Sequence, residues 1–283
     1  MKRKKGFTLI ELLVVIAIIA LLMAILMPAL DSVRKQAKAV ICRTMLKQWG
    51  LMFNMYADQH DNKFMSGWTN YGTGGTPYGE GDWMVALEPM YGDKDIRFCP
   101  VAKKHGTVAT EGWIAGGKTE AWGRYAYLID PVTGNWKWAW GSMGANCLIY
   151  DYHPDWNSGS GIDVQKVCWR GPDVKNAGNI PMFADCACYG NTVQSEIGQT
   201  WNPADDPAPY DDAKGGGLGR RFGVNRHSGK ADYTFLDWSV RPVGLRAIWR
   251  LKWHRNFPTD NPWVAKGWVN PWVGHWMENF PDE

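Results

Sequence analysis

The chain has 283 residues, of which 45% are apolar and 21% charged, a composition typical of a folded globular body. The formal net charge is +3, but four of the 31 basic residues stand together at positions 2–5, and the other 27 face 28 acidic residues. The basic balance therefore belongs to the extreme N-terminus, which argues against a nucleic-acid-binding body.

A long apolar segment follows the basic cluster. Residues 12–27 contain no polar side chain, and the segment 7–30 spans 24 residues. As a helix it would be about 36 Å long, enough to cross a hydrocarbon core of roughly 30 Å. The positive cluster should stay in the cytoplasm, so the body is predicted on the other side of the membrane.

Glu11 is the one charged residue of this segment. A carboxylate in a membrane helix is costly and usually has a partner. A chain that began at Phe7 would supply one, because its α-ammonium could pair with Glu11 of a neighbouring subunit. The helix dipole also favours a carboxylate in the first turn.

The stretch KGFTLIELLVVIAIIALL resembles the cleavage and methylation segment of type IV prepilins and type II secretion pseudopilins. The resemblance implies that a prepilin peptidase cuts after Gly6 and N-methylates Phe7. It also places the family's glutamate at Glu11 and its helix-loosening proline at Pro28, where we expect a kink or local melting. The implied partners are prepilin peptidase, other pilin or pseudopilin subunits, an inner-membrane assembly platform and membrane lipid.

Two simpler interpretations of the segment remain. An ordinary secretory signal peptide also has a basic and an apolar region, but here the apolar run is long and no clear A-x-A site follows it. A plain membrane anchor would leave both Glu11 and the Gly6–Phe7 junction unexplained. We therefore predict a single-pass inner-membrane protein with a cytoplasmic N-terminus and a periplasmic body, which later enters a pseudopilus or surface filament.

The helix is predicted to continue to about residue 60 and to pack on the body through an apolar stripe. The stripe comprises Val33, Ala37, Val40, Ile41, Leu51, Met52 and Met55. We expect a loop from Asp58 to Tyr78, because it is rich in glycine. Short strand candidates separated by many turn residues then favour an antiparallel sheet: Arg124–Ile129, Trp136–Trp140, Cys147–Tyr152, Ile180–Ala184 and Ala231–Leu236.

The prediction is thus an α+β, pilin-like fold in which a long N-terminal helix packs on an antiparallel sheet with long loops. Its parts are a leader peptide (1–6), a transmembrane or filament-core helix (7–30), an amphipathic continuation (31–60) and a tryptophan-rich extracytoplasmic body (61–283).

Three further elements resemble a large group of pilin-like proteins. The sequence from Cys42 to Phe64 follows the pattern C-x-x-N-L-K-Q-x-G-x-A with Met45 at the asparagine position, and RFCP at residues 97–100 matches an F-x-C-P element. His227 and Asp237 fit an H-x9-D-G element, although Trp238 stands where the group has the glycine suited to a tight turn.

We expect His227 and Asp237 to be structural, with a hydrogen bond that holds one end of a hairpin. A small binding or metal site is the alternative for this pair, and the resemblance gives it no catalytic role. The sequence contains no G-x-S-x-G, H-E-x-x-H or G-x-x-x-x-G-K-[ST] motif. We therefore predict that the protein is not an enzyme.

Some pseudopilins bind calcium through oxygen ligands in a C-terminal loop, and the resemblance therefore suggests one calcium site in an otherwise cofactor-free protein. The densest acidic cluster comprises Asp205, Asp206, Asp211 and Asp212. The alternative is a solvated acidic loop without an ion.

The chain has six cysteines. Cys42 and Cys99 lie in elements shared with the resembling group, and a disulfide between them would tie the helix to the body, typically stabilising it by ~2–4 kcal/mol. Cys186 and Cys188 are too close in sequence to pair with each other and are expected to be buried thiols or to form separate disulfides.

The 18 tryptophans admit two interpretations. We favour core packing in a loop-rich body; the alternative is an exposed surface that stacks on sugar rings or contacts other subunits. The favoured function is a minor pilin or pseudopilin. The alternative is a membrane-tethered extracytoplasmic carbohydrate-binding protein, with a glycan as partner, and a hydrolase dependent on His227 or Asp237 comes third.

Overall fold

The computed structural model describes residues 8–67, 81–105, 113–114, 116–129, 136–152, 163–188, 190–191, 222–245, 247–257 and 259. One helix, α1 (Leu9–Gln59), has 51 residues and runs unbroken through Pro28. The local melting predicted at this proline is therefore absent. The helix ends where Asp61 and Asn62 adopt the left-handed backbone conformation, with φ of 52° and 59°, and reverse the chain.

The face that α1 buries differs from the predicted stripe. Of the predicted residues only Met52 is buried, whereas Val33, Ala37, Val40, Ile41, Leu51 and Met55 are exposed. The buried face instead comprises Cys42, Leu46, Trp49, Gly50, Met52, Phe53 and Ala57. The spacing of apolar residues predicts a helix but does not show which face of it is buried. That face is determined by the strands on which α1 packs.

A five-stranded sheet lies against the second half of α1, in the spatial order β7-β5-β6-β8-β9. Its strands are β5 (Met143–Asn146), β6 (Pro181–Asp185), β7 (Gly190–Asn191), β8 (Lys230–Phe235) and β9 (Val240–Gly244). The helix packs across β8, β6 and β9. All pairings are antiparallel except that of β5 with the short β7.

A second sheet is built around β3 (Glu120–Ile129). Its other strands are β1 (Lys104–His105), β2 (Trp113–Ile114) and β4 (Trp136–Gly141). Strands β2 and β4 pair antiparallel with β3, and β1 pairs parallel with it. The predicted α+β, pilin-like architecture is confirmed. Each of the two parallel pairings involves a strand of only two residues, β1 or β7.

Four of the five predicted strand regions lie in β3, β4, β6 and β8. The fifth, Cys147–Tyr152, is wrong: the strand β5 precedes it, and residues 147–149 form a 3-10 helix. The cause is Asn146, whose Oδ1 accepts from Leu148 N at 3.1 Å while Nδ2 donates to the carbonyls of Pro181 and Trp253, each at 2.9 Å. An amide side chain that caps the next turn ends the strand.

Aromatic rings fill the core between α1 and the larger sheet. The ring centroid of Trp49 lies 4.9 Å from that of Trp83 and 5.2 Å from that of Phe183, and Trp83 lies 4.8 Å from Phe183. Trp83 belongs to α2 (Trp83–Ala86), while α3 (Val164–Val167) forms a second short helix in the body. The contacts of Trp83 with Trp49 and with Phe183 are edge-to-face, a geometry that adds to the stabilisation from burial.

Candidate functional site

The first half of α1 presents an uncovered apolar surface. Every large apolar side chain from Leu9 to Leu30 is between 45% and 80% exposed. An 18-residue window of this helix has a mean hydropathy of 3.2, and none of it is buried. By length and composition it is the one candidate membrane span in the described part of the chain. A surface of this kind requires lipid or neighbouring apolar chains to cover it.

Thr8 and Glu11 close the start of this helix as a capping box. Backbone N and Oγ1 of Thr8 donate to Oε2 of Glu11 at 2.8 and 2.7 Å, and N of Glu11 donates to Oγ1 of Thr8 at 3.3 Å. The T-x-x-E spacing could have revealed this cap from the sequence, which our prediction missed. Gly6 and Phe7 lie outside the described residues, so the predicted ammonium–carboxylate pair stays a prediction.

A second site lies where α1 first meets the body. Four residues there each contribute one potential ligand atom to a compact group: Cys42 of α1, Cys99 after the 3-10 helix Lys94–Arg97, Asp185 at the end of β6 and His227 before β8. These four atoms all lie within 4.8 Å of one another. We call these four residues the helix–body cluster.

His227 is the centre of the helix–body cluster. Its Nε2 lies 3.4 Å from Sγ of Cys99, and it forms an ion pair with Oδ2 of Asp185 at 3.2 Å. Oδ2 of Asp232, a buried residue of β8, lies 3.7 Å away, and Oδ1 of Asp232 forms an ion pair with Arg43 at 3.4 Å.

The structure does not bring His227 and Asp237 together. They flank opposite ends of β8, and a strand of that length spans roughly 17–20 Å. Asp237 is exposed, and its Oδ1 accepts from N and Oγ of Ser239 at 3.0 and 2.6 Å in the β8–β9 turn. Trp238 makes that turn with a φ of 64°, so a tight turn forms without the glycine of the resembling group.

Arg226 supports the helix–body cluster from behind. Its guanidinium donates to Oδ1 of Asp185, and both side chains are completely buried. It also donates to the carbonyls of Gly117 at 2.7 Å and Ser142 at 2.8 Å. Sequence reasoning missed Arg226, Asp185 and Asp232 as site residues. The available signal was a carboxylate at the end of one apolar strand pattern (Asp185) and within another (Asp232), since buried charges are rare unless paired.

The charges of Asp185 and His227 stabilise one another. Burial alone would raise the pKa of the Asp185 carboxyl, but Arg226 and His227 outweigh burial and hold it below its usual value. Burial likewise opposes the charged imidazole, yet the attraction of Asp185 and the contact with Cys99 raise the pKa of His227 to about 10.

The pKa values of the two thiols of the helix–body cluster are shifted in opposite directions. The hydrogen bond from Cys42, against the effect of burial, lowers the pKa of Cys99 to about 7, and His227 and Arg226 contribute in the same direction. The same hydrogen bond and burial raise the pKa of Cys42 well above its usual value. Cys99 is therefore the thiol more readily converted to a thiolate, the form that binds metals.

All six cysteines are buried, and none forms a disulfide in this structure. Cys42 and Cys99 are neighbours, as a disulfide would require, but the bond itself is absent and remains a prediction. Cys186 and Cys188 are not joined to each other, and N of Cys188 donates to Sγ of Cys186 at 3.4 Å. The predicted calcium ligands Asp205, Asp206, Asp211 and Asp212 lie outside the described residues.

The tryptophans whose side chains are described mostly pack inside. Trp49, Trp83, Trp122 and Trp253 are buried, and Trp140 stacks on His105 with ring centroids 4.1 Å apart. The rings of Trp136, Trp138 and Trp249, and the whole of Trp263, Trp268, Trp272 and Trp276, lie outside the description. In the described part of the chain, most tryptophan side chains therefore pack in the core.

Comparison with known proteins points to one class. The family described as "Prokaryotic N-terminal methylation motif" matches residues 1–27. Over 62 residues the chain is 48% identical to the type IV wide pilus major component PilA4 of Thermus thermophilus. The chain is therefore similar to type IV pilins over part of its length.

The aligned stretch covers 22% of this chain and 46% of that relative, so the chain spans less than half the relative's length. No solved structure matches the chain. In this pilin-like protein the methylation motif and the uncovered half of α1 therefore coincide, whereas the helix–body cluster involves body segments that the methylation motif does not reach.

Proposed function

We propose that the chain is a structural subunit, a pseudopilin or minor pilin, and not an enzyme. Prepilin peptidase would cut it after Gly6, and an inner-membrane assembly platform would draw it into a type IV pilus or a type II secretion pseudopilus. The observation that carries the proposal is the uncovered apolar half of α1, which has a single acidic residue, Glu11, in its first turn.

The apolar half of α1 would have two environments in turn. Before assembly, lipid covers the side chains from Leu9 to Leu30, and the body lies in the periplasm. In a filament, the same side chains pack against those of neighbouring subunits, so burial is kept while the chain leaves the bilayer. Transfer between two apolar surroundings involves little change in hydrophobic free energy, which makes reversible extraction feasible.

The helix between membrane and body supports this model. Val33, Val40 and Ile41 are 59%, 53% and 46% exposed, and they precede Leu46, the first large apolar side chain that the body buries completely. Apolar side chains beyond the reach of the body need cover from other chains in water. Neighbouring helices of a filament would provide that cover along the same stretch.

Glu11 would set the register between subunits. Once Gly6 is removed, Phe7 carries an α-ammonium, and the carboxylate of Glu11 in an adjacent subunit is its natural partner in an apolar core. The match to a wide-pilus component supports a pilus, while the large body supports a minor or specialised subunit.

Mass spectrometry of the mature N-terminus tests the proposal. Protein from native membranes and from sheared surface material should begin with N-methylated Phe7, and a Gly6→Leu variant should keep its leader and stay in the membrane. A Lys5→Leu variant, which alters the leader but not the cut site, serves as the control. An intact Met1 in the wild type, or a cut beyond Pro28, contradicts processing. Absence from every filament fraction contradicts assembly.

A further inference from the structure

The helix–body cluster has the composition of a closed metal site. Its four potential ligand atoms are two thiol sulfurs, one imidazole nitrogen and one carboxylate oxygen, all within 4.8 Å of one another. We propose that Cys42, Cys99, Asp185 and His227 bind one Zn²⁺ ion that fastens helix α1 to the body.

The spacing of the atoms suits tetrahedral zinc. Zinc bonds of about 2.0–2.3 Å place the ligand atoms of a tetrahedron roughly 3.3–3.8 Å apart. Nε2 of His227 already lies 3.4 Å from Sγ of Cys99 and 3.2 Å from Oδ2 of Asp185. The other distances between ligand atoms are at most 4.8 Å, so side-chain shifts of about 1 Å would complete the coordination.

Only one of the two carboxylate oxygens of Asp185 accepts a hydrogen bond from a described residue. Arg226 donates to Oδ1, while Oδ2 is completely buried and makes no hydrogen bond among the described residues. It faces Nε2 of His227 as an ion pair at 3.2 Å, and a buried carboxylate oxygen that accepts no hydrogen bond is costly. A cation at the centre of the cluster would satisfy it, and Arg226 would orient the carboxylate as a supporting group.

Charge also balances around a divalent ion. Zinc displaces the protons of both thiols and of Nε2 of His227, which binds as a neutral imidazole. Two thiolates and the Asp185 carboxylate then carry three negative charges, which the two charges of Zn²⁺ and the one of Arg226 neutralise. The nearby Asp232 has its own cation in Arg43, at 3.4 Å. A buried site of zero net charge avoids the large cost of an uncompensated interior charge.

Zn²⁺ fits the donor set better than other common cations. Ca²⁺ and Mg²⁺ take oxygen ligands, whereas two sulfurs and an imidazole are typical of zinc. Cys42, Cys99 and Asp185 are completely buried and the His227 side chain is 4% exposed. With four protein ligands and no open position, the ion would be structural, not catalytic.

The position of the ligands gives the ion a mechanical role. Cys42 is the first buried residue of α1 counted from the membrane, and the other three ligands come from three separate segments of the body. The ion would therefore hold the helix where it emerges from the body. It also explains why Cys42, Cys99 and His227, from three sequence elements far apart in the chain, converge.

The predicted Cys42–Cys99 disulfide would use the same two thiols, so the experiment must separate the two. Full-length protein is purified in detergent from native membranes, and zinc is measured per chain by mass spectrometry of the elements. Thiols are counted after denaturation, and the disulfide is sought by peptide mapping without reduction. About one zinc per chain with both thiols free is expected; zinc-free folded protein, or a Cys42–Cys99 linked peptide, overturns the proposal.

Variants assign the ligands. Cys42→Ser and His227→Gln should each lower bound zinc at least tenfold, whereas Cys168→Ser, at a buried thiol outside the cluster, should keep it. Co²⁺ added to the metal-free wild type should give the intense visible bands of a tetrahedral thiolate site. If the ligand variants do not fold, the wild-type Co²⁺ spectrum decides: bands of an octahedral, oxygen-ligated ion contradict the site.

Discussion

Arg226 donates to the carboxylate of Asp185 in the interior, with both side chains completely out of contact with solvent. The same guanidinium reaches the carbonyls of Gly117 and Glu120, at the start of β3, and that of Ser142 between β4 and β5. One side chain thus ties the smaller sheet to the end of β6 in the larger one.

Replacing Arg226 with Met should lower the free energy of unfolding by ~3–5 kcal/mol, because it leaves a buried carboxylate without its cation. Chemical denaturation of the full-length protein in detergent, followed by tryptophan fluorescence, measures the change. Arg255→Met is the control: that side chain is exposed and lies over Trp169 at 5.9 Å, so its loss should cost less than ~1 kcal/mol. Equal losses at the two sites would contradict the structural role of Arg226.

Helix α1 passes close to β8 at Gly50. A Cβ added there would lie 3.0 Å from Cγ2 of Thr234, whose Oγ1 donates to Leu46 O at 3.0 Å and so fixes the side chain. Gly50→Ala should therefore destabilise the protein, although alanine favours a helix by about 1 kcal/mol. Thr234→Ser removes only Cγ2. The double variant should therefore be more stable, by ~1 kcal/mol in free energy of unfolding, than the sum of the two single losses predicts. Additive losses in the denaturation midpoints would show that the methyl contact is not the cause.

Trp238 carries backbone strain, because its φ of 64° lies in the left-handed region that disfavours side chains. Trp238→Gly and Trp238→Ala both remove the indole and its contact with Phe64. Glycine should nevertheless give the more stable protein, by about 1 kcal/mol, since only alanine retains the strain. Thermal unfolding of the pair decides the point, and an alanine variant as stable as the glycine variant would contradict it.

Glu11 has two separable roles, one in the capping box and one, under the proposed function, in subunit pairing. Glu11→Gln keeps the cap but removes the charge, because glutamine also serves in capping boxes. Thr8→Val removes the cap, at a cost of ~1 kcal/mol, but keeps the charge. We expect sheared filaments to contain the Thr8→Val protein and to lack Glu11→Gln, with both proteins present in membranes. Normal incorporation of Glu11→Gln would contradict the charge pairing.

Local signals in the sequence were sufficient for the elements that depend on local physics. The apolar run and its flanking charges predicted α1 within two residues at its start and one at its end, because hydropathy and helical length are properties of one segment. The short strands β6 and β8 were found for a similar reason, since β-branched and aromatic residues bounded by turns suffice to indicate them.

Long-range contacts decided what the sequence left open. The side chain of Asn146 is held by bonds to Pro181 and Trp253, residues 35 and 107 positions away, and the amide so held caps the turn that ends β5. The buried face of α1 depended on which side chains could meet β8 at Gly50. The relative position of His227 and Asp237 was set by the strand between them, which extends the chain and so separates its ends.

By itself, then, the sequence determined a membrane-length helix with a prepilin-type start and an α+β body, because periodicity and composition act within a segment. Only the tertiary structure decided that Cys42, Cys99, Asp185 and His227 share one buried point. The packing of α1 on the sheet and the ion pair of Arg226 with Asp185 bring these residues together. The four residues lie in four separate segments, so no pattern within one segment can predict that they are neighbours.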